Sequence, residues 1–275
     1  MDDLGIIGLG LVVATGLVSY RGMQDAAYFD RYAFEVGPIR HGRQYQRLLS
    51  SGFLHVGWWH LGFNMLTLWC FGGALEAVVG MQNFLLLYFG SLVGGNLFSL
   101  GLHRHEPRYT AAGASGAISG LIFASIALFP GIEVGLFGLY LPGWLYGALY
   151  VIVSAYGIVT RHSNIGHDAH LGGGLVGLAT AVFLVPEILR VNYLPILAIV
   201  VPAAVFLYLL VSRPAGRRVG NLFAAAPQYQ TTDDRYHARK QQEEGALDEL
   251  LEKISLTGLE SLSKREKQQL DELSR

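Results

Sequence analysis

Residues 168–186, DAHLGGGLVGLATAVFLVP, decide how this chain folds. Beyond His170 the stretch carries no charge. Its length approaches the roughly 20 residues that a helix rising about 1.5 Å per residue needs to cross a hydrocarbon core about 30 Å thick. Gly173 and Gly177 stand four apart, the small-xxx-small spacing that lets two helices approach closely in a bilayer. Asp168 and His170 open the run. An ionisable group inside a span is unfavourable, by about 2.5–3.5 kcal/mol for a full charge on insertion scales, and is a functional suspect for that reason.

Six more runs approach the same standard, near residues 4–20, 53–79, 83–102, 115–129, 138–160 and 193–212. Backbone groups in lipid must be satisfied within the segment, so all seven are expected to be helices and the fold class all-α, a polytopic membrane helix bundle. The run at 115–129 is short, but it continues a Gly-rich stretch that need not face lipid. Composition agrees: 52% of the 275 residues are hydrophobic and 15% are charged, against about 25% charged in a soluble protein. The charges crowd into residues 213–275 and a few loops. The net charge of −1 gives no reason to expect a nucleic-acid partner. The single cysteine, Cys70, permits no disulfide within the chain and reports nothing about redox compartment. The acidic start, Met1-Asp2-Asp3, lacks the positive n-region of a signal peptide, so the first run reads as a retained span.

Between the first two runs, residues 21–52 mix Tyr28, Phe29, Tyr32 and Phe34 with Arg21, Arg31, Arg40, Arg43 and Arg47, a composition suited to the membrane–water interface. Residues 214–242 read as a linker without apolar periodicity. From 243 to 275 the pattern turns helical, with Leu247, Leu250, Leu251 and Ile254 at helical spacing. Thr257-Gly258 interrupts it, and Ser263 with Glu266 forms a capping box before Leu270 and Leu273. This is expected to be a soluble helical hairpin. It is too small for a strong core of its own, so it is expected to dock on a protein partner.

Few polar residues remain inside the runs. Ser115, in Gly113-Ala114-Ser115-Gly116, reads either as a packing residue or as a nucleophile. Its place at a helix start offers N–H groups to an oxyanion, but a hydroxyl needs a base to attack. His170 is the candidate base. Its other readings are a histidine satisfied by a neighbouring carbonyl, or one ligand of a metal site with His167 and Asp168. His60 and Asn64, four apart, share a helix face. They read either as donors to a developing negative charge or as a structural polar contact.

At this point the sequence resembles the rhomboid family of intramembrane serine proteases. The matching pieces, in order, are Arg47-Leu48-Leu49 with Phe53-Leu54-His55, His60 with Asn64, Gly72-Gly73 with Glu76, Gly113-Ala114-Ser115-Gly116, and Ala169-His170 with Gly173 and Gly177. They cover roughly residues 4–186. The resemblance implies a rhomboid core of six transmembrane helices over 1–190, an additional transmembrane helix over 191–213, the linker over 214–242 and the hairpin over 243–275. It implies that Ser115 is the nucleophile and His170 the general base, without an aspartate, and that His60, Asn64 and the Ser115 backbone N–H bind the oxyanion. His55, Glu76, Gly113, Gly116, Gly173 and Gly177 fall to structural roles near the site. Substrates would be transmembrane proteins. No cofactor and no metal is implied.

Two alternatives stand beside this reading. One is a catalytically silent protein of the same fold that binds client transmembrane helices; the other, a transporter, finds no internal repeat. The chain departs from the family at one point. Many members carry an aromatic four residues after the nucleophile, supporting the catalytic histidine; Ser119 stands there, so support must come from elsewhere, such as Asp168 or a ring on another span. The expected location is a bacterial plasma (inner) membrane. Loop arginines, including Arg104, Arg108, Arg161, Arg213, Arg217 and Arg218, gather on the face where Ser115 starts its run. The positive-inside rule therefore puts that face and the hairpin in the cytoplasm.

Overall fold

A computed structural model of the chain describes residues 4–129, 131–136, 139–160, 165–212, 232–258 and 261–273. Two compact units result, Met1–Pro227 and Gln228–Arg275. In the first, α1 (Ile6–Gln24) leads into three short helices, α2 (Ala26–Tyr32), α3 (Val36–Arg40) and α4 (Arg47–Ser50). Then follow α5 (Trp58–Leu102), α6 (Ser115–Leu128), α7 (Gly143–Thr160), α8 (His167–Leu184), α9 (Ile188–Val191) and α10 (Tyr193–Ser212). The fold is an all-α polytopic bundle. Helices α1, α5, α7 and α10 are long and apolar enough to cross a membrane.

The long helices bury small and polar residues beside a packed apolar core that includes Phe84, Leu87, Tyr88 and Phe123, and unlike those of a soluble protein they leave many large apolar side chains exposed. On α1, Gly8, Leu11, Thr15, Ser19 and Gly22 are buried, while Ile6, Leu9, Val13, Leu17 and Tyr20 are exposed. Water cannot drive helices together in lipid; close van der Waals approach and interhelical hydrogen bonds do so, which selects small side chains for the interface. Helix α6 is the extreme case, buried from Gly116 to Ala127. At 14 residues, about 21 Å, it is shorter than the hydrocarbon core, and its neighbours rather than lipid enclose it.

Some segments differ from the sequence expectation. The runs at 53–79 and 83–102 are two helices, as read, but they follow one another directly at a kink at Gly80, φ 78°, a conformation open mainly to glycine, and are labelled together as the two arms of α5. The first arm starts at Trp58, after a 3-10 turn at Ser51–Phe53. The fifth run is not helical from 138. Leu139–Pro142 form β4, paired antiparallel with β3 (Glu133–Leu136), and the helix starts at Gly143. Apolar character alone does not separate a short strand from a helix, and Pro142 cannot donate the backbone bond that a helix interior needs.

The long connection after α1 is folded onto the bundle. Its strand β1 (Phe34–Glu35) pairs with β2 (Thr110–Ala111), just before α6, with Phe34 opposite Ala111. Phe34, Val36, Ile39 and Leu48 form a small core of their own. Arg47, 6% exposed, pins the segment. Its guanidinium donates to the Asp30 carbonyl at 2.6 Å, the Ala33 carbonyl at 2.8 Å and Gln44 Oε1 at 2.7 Å, beside Glu35. Arg40 donates to the Arg104 carbonyl. These two arginines are structural as well as charged. Arg161, Arg213, Arg217 and Arg218 lie outside the described residues.

Glu76, near the end of the first arm, receives the start of α1: Ile7 N–H donates to Oε1 at 3.2 Å and Gly8 N–H to Oε2 at 3.1 Å. Two of the four orphan donors of that helix end are thereby satisfied. Glu76→Gln leaves one acceptor oxygen and is expected to lower stability by about 1–2 kcal/mol, read as a drop in melting temperature in detergent.

In the second unit, α11 (Thr232–Thr257) and α12 (Lys264–Leu273) form a hairpin. Helix α11 starts inside the stretch read as linker, because the Ala-, Lys-, Gln- and Glu-rich residues 238–244 favour a helix without any apolar stripe. The rest of that stretch lies outside the described residues. Gly258, at φ 81°, follows the end of α11. The capping box forms: Ser263 N–H donates to Glu266 Oε2 at 2.7 Å, and Glu266 N–H to Ser263 Oγ at 3.3 Å. Leu250 and Leu262 are buried, whereas Leu251 is half exposed.

Candidate active site

Helix α6 begins at Ser115. What places it there is the preceding turn. Gly113 has φ 137°, which disfavours any side chain, and a Cβ at Gly113 would sit 2.9 Å from the His60 ring and 3.6 Å from Ser115 Oγ. Gly113 N–H donates to the Ser51 carbonyl at 3.0 Å, and Asn96 on the second arm of α5 donates to Ser51 Oγ at 3.1 Å and to the Leu48 carbonyl at 2.8 Å. The next N–H, of Ala114, donates to His55 Nε2 at 3.3 Å. An accepting Nε2 leaves the His55 proton on Nδ1, which donates to Ser19 Oγ at 2.9 Å, and Ser19 passes its own proton to the Phe53 carbonyl at 2.8 Å. His55 is thus a neutral strut between α1 and the turn before Ser115.

On α8, His170 Nε2 lies 2.7 Å from Ser115 Oγ. That distance suits proton transfer between a nucleophile and its base. It exists because α6 and α8 touch backbone to backbone. A Cβ at Gly173 would overlap the Gly116 carbonyl, one at Gly177 would overlap the Gly120 backbone, and one at Gly116 would press on the Ala169 carbonyl at 3.3 Å. The His60 ring stands edge-on to the His55 ring at 4.8 Å. Asn64, four residues on, is buried and its Nδ2 donates to the His60 carbonyl at 2.9 Å. Ser115, His170, His60 and Gly113 therefore converge. Asn64 lies on the same arm of α5, with one amide proton bound to its own helix.

His167, Asp168 and His170 do not share a centre. Asp168 turns to His103 Nε2 at 3.2 Å and to the Tyr109 hydroxyl at 3.2 Å, and His103 stacks on Tyr109 with ring centroids 3.5 Å apart. Among the described residues no group of three His, Cys, Asp or Glu is placed to hold a metal ion. The sequence reading missed this cluster, along with Ser19, Ser51, Asn96 and Tyr150. All are polar residues in or beside apolar runs, which was the signal available.

His103, just after α5, is flanked by Glu106 Oε2 at 2.8 Å and by Asp168. Burial opposes its charge, but the two carboxylates outweigh that and hold its pKa above the ordinary value. A raised folded pKa gives stabilisation that is complete below about pH 6.5 and is lost as pH rises through the raised value. The melting temperature of the wild type is therefore expected to exceed that of His103→Gln by a few degrees at pH 6. The gap is expected to narrow steadily on the way to pH 9.

The rhomboid domain matches residues 42–187, more than half of the chain, and the chain belongs to the rhomboid family. Residues 230–275 match a family of unknown function, DUF6576. The chain is 38% identical over 136 residues to rhomboid protein 1, mitochondrial, of Saccharomyces cerevisiae, covering 48% of this chain and 39% of that one. It is 29% identical over 194 residues to RHOMBOID-like protein 12, mitochondrial, of Arabidopsis thaliana, covering 64% and 57%. It is 33% identical over 141 residues to rhomboid protease GluP of Bacillus subtilis, covering 51% and 26%. The matches thus span less than two thirds of each relative's length. The chain is an integral, multi-pass membrane protein.

Proposed function

We propose that the protein is an intramembrane serine endopeptidase that cleaves transmembrane substrates with a Ser115–His170 dyad. The observation that carries the reading is the 2.7 Å approach of His170 Nε2 to Ser115 Oγ. Ser115 Oγ attacks the scissile carbonyl carbon as His170 Nε2 takes its proton. The oxyanion that forms is met by the His60 side chain, the remaining amide proton of Asn64, and Ser115 N–H, one of the helix-start donors without an intrahelical acceptor. Collapse of the intermediate breaks the C–N bond, and His170 returns the proton to the departing amine. Water then attacks the acyl-enzyme carbon with His170 again as base, the ester C–O bond to Ser115 breaks, and His170 returns the proton to Ser115 Oγ. Asp168 is committed to His103 and Tyr109, which supports a two-residue mechanism.

The proposed location is a bacterial plasma membrane, with the hairpin and the site-bearing face toward the cytoplasm; the exposed residues Arg21, Arg31 and Arg43, at and after the end of α1, support that orientation by the positive-inside rule, and a reporter fused to Arg275 and found outside would reverse it. The activity is tested with a fluorophosphonate probe on the purified full chain. The wild type is expected to label and to cut a transmembrane peptide, and Ser115→Ala to do neither. Labelling of neither protein would sink the enzyme reading and favour a silent member that binds client helices.

A further inference from the structure

The imidazole of His170 has no carboxylate partner in the dyad described above, yet a general base must hold one rotamer to keep Nε2 on the serine. The groups around it are His60 on α5, His167 and Asp168 on its own helix, and Tyr150 on α7. Asp168 is turned away to His103 and Tyr109, and His167 stands edge-on at 6.1 Å. Tyr150 is different, because its ring lies tilted beside the imidazole with centroids 6.3 Å apart and is itself held at both ends. Phe123 on α6 meets the ring edge-on at 5.5 Å. The hydroxyl is 2.6 Å from Ser119 Oγ, and Ser119 donates its only proton to the Ser115 carbonyl at 2.7 Å. Tyr150 must then be the donor to Ser119. A relay runs from α7 through Ser119 to the backbone of the nucleophile itself.

We propose that Tyr150, locked by Ser119, is the positioning residue that fixes the His170 imidazole against Ser115. The proposal rests on the dyad reading. It also explains Ser119, a small residue where the resemblance leads one to expect a ring. Ser119 makes room for a ring delivered from α7 and anchors its hydroxyl.

The test uses the full-length protein in detergent with a transmembrane peptide substrate. Tyr150→Leu is expected to lower kcat by about 100-fold, the scale of a small misplacement of a reacting group, with KM little changed and the acidic limb of the kcat–pH profile displaced. Tyr150→Phe keeps the ring and is expected to recover most of that loss. Ser119→Ala removes the Tyr150–Ser119 bond together with the Ser119–Ser115 bond and is expected to lower kcat at least as far as Tyr150→Phe, and the double variant to be no worse than Ser119→Ala, since the bond that Tyr150→Phe deletes is already gone there. Wild-type kcat in Tyr150→Leu overturns the proposal. So does a loss that Phe does not recover and that leaves the pH profile in place, or full additivity of Ser119→Ala with Tyr150→Phe. If Tyr150→Leu does not fold, the Ser119→Ala and Tyr150→Phe cycle decides alone. Fluorophosphonate labelling of the wild type, lost in Ser115→Ala, is run in parallel; its absence in the wild type would count against the dyad rather than against Tyr150.

Discussion

His170→Asn is expected to reduce the rate of peptide-bond cleavage by about 10⁴- to 10⁶-fold, the range seen when a serine hydrolase loses its base. Asparagine fills a similar volume and can still donate a hydrogen bond, so the contact with α6 survives while the proton acceptor at Nε2 is gone. Ser115 Oγ then loses the ring nitrogen that stood 2.7 Å away, and a serine hydroxyl at neutral pH is a weak nucleophile. The loss should appear in kcat with KM nearly unchanged, because substrate binding does not depend on that proton. Fluorophosphonate labelling should fall in parallel. A variant that keeps wild-type turnover would show that His170 is not the base, whatever its distance from Ser115.

Gly177→Ala is also expected to lower activity, by less than loss of the base, although it lies two turns from His170. Its added methyl would overlap the Gly120 backbone, and backbone cannot rotate aside as a flexible side chain would. Helices α6 and α8 must part, which costs about 1–3 kcal/mol as overpacking. The Ser115–His170 distance widens with them. A displacement near 1 Å is enough for about a 100-fold loss in rate, so cleavage and melting temperature should fall together. Gly10→Ala is the matched control: a Cβ there meets nothing within 4 Å, and the substitution should leave both readouts near wild type. Equal behaviour of the two variants would refute the claim that backbone contact between α6 and α8 sets the dyad.

Much of this site was legible because polar residues are conspicuous in apolar runs. Ser115, His170, His60 and Asn64 were found that way, and the glycine spacing in residues 168–186 marked α8 as a closely packed helix. The capping box at Ser263 and Glu266 was equally readable, since its partners are three residues apart. What escaped notice were the pairings between residues far apart in the chain. His55 meets Ser19 and Ala114, Asn96 meets Leu48 and Ser51, and Tyr150 meets Ser119. No local pattern encodes such pairs. The strand at 139–142 escaped for another reason: pairing with β3, not periodicity, fixes its conformation.

By itself the sequence determined that the chain crosses a membrane repeatedly, because a run of some 20 apolar residues has no other favourable setting than lipid. It also picked out the few polar side chains within those runs. Only the tertiary structure decided that the short apolar run at Ser115 is an enclosed helix, that Gly173 and Gly177 meet its backbone, and that Asp168 turns to His103 and Tyr109 while Tyr150 flanks His170. The reason is physical. Local segments carry their own length, propensity and solvent preference, whereas the meeting of Ser115 with His170, 55 residues apart, depends on how closely two helix backbones can approach.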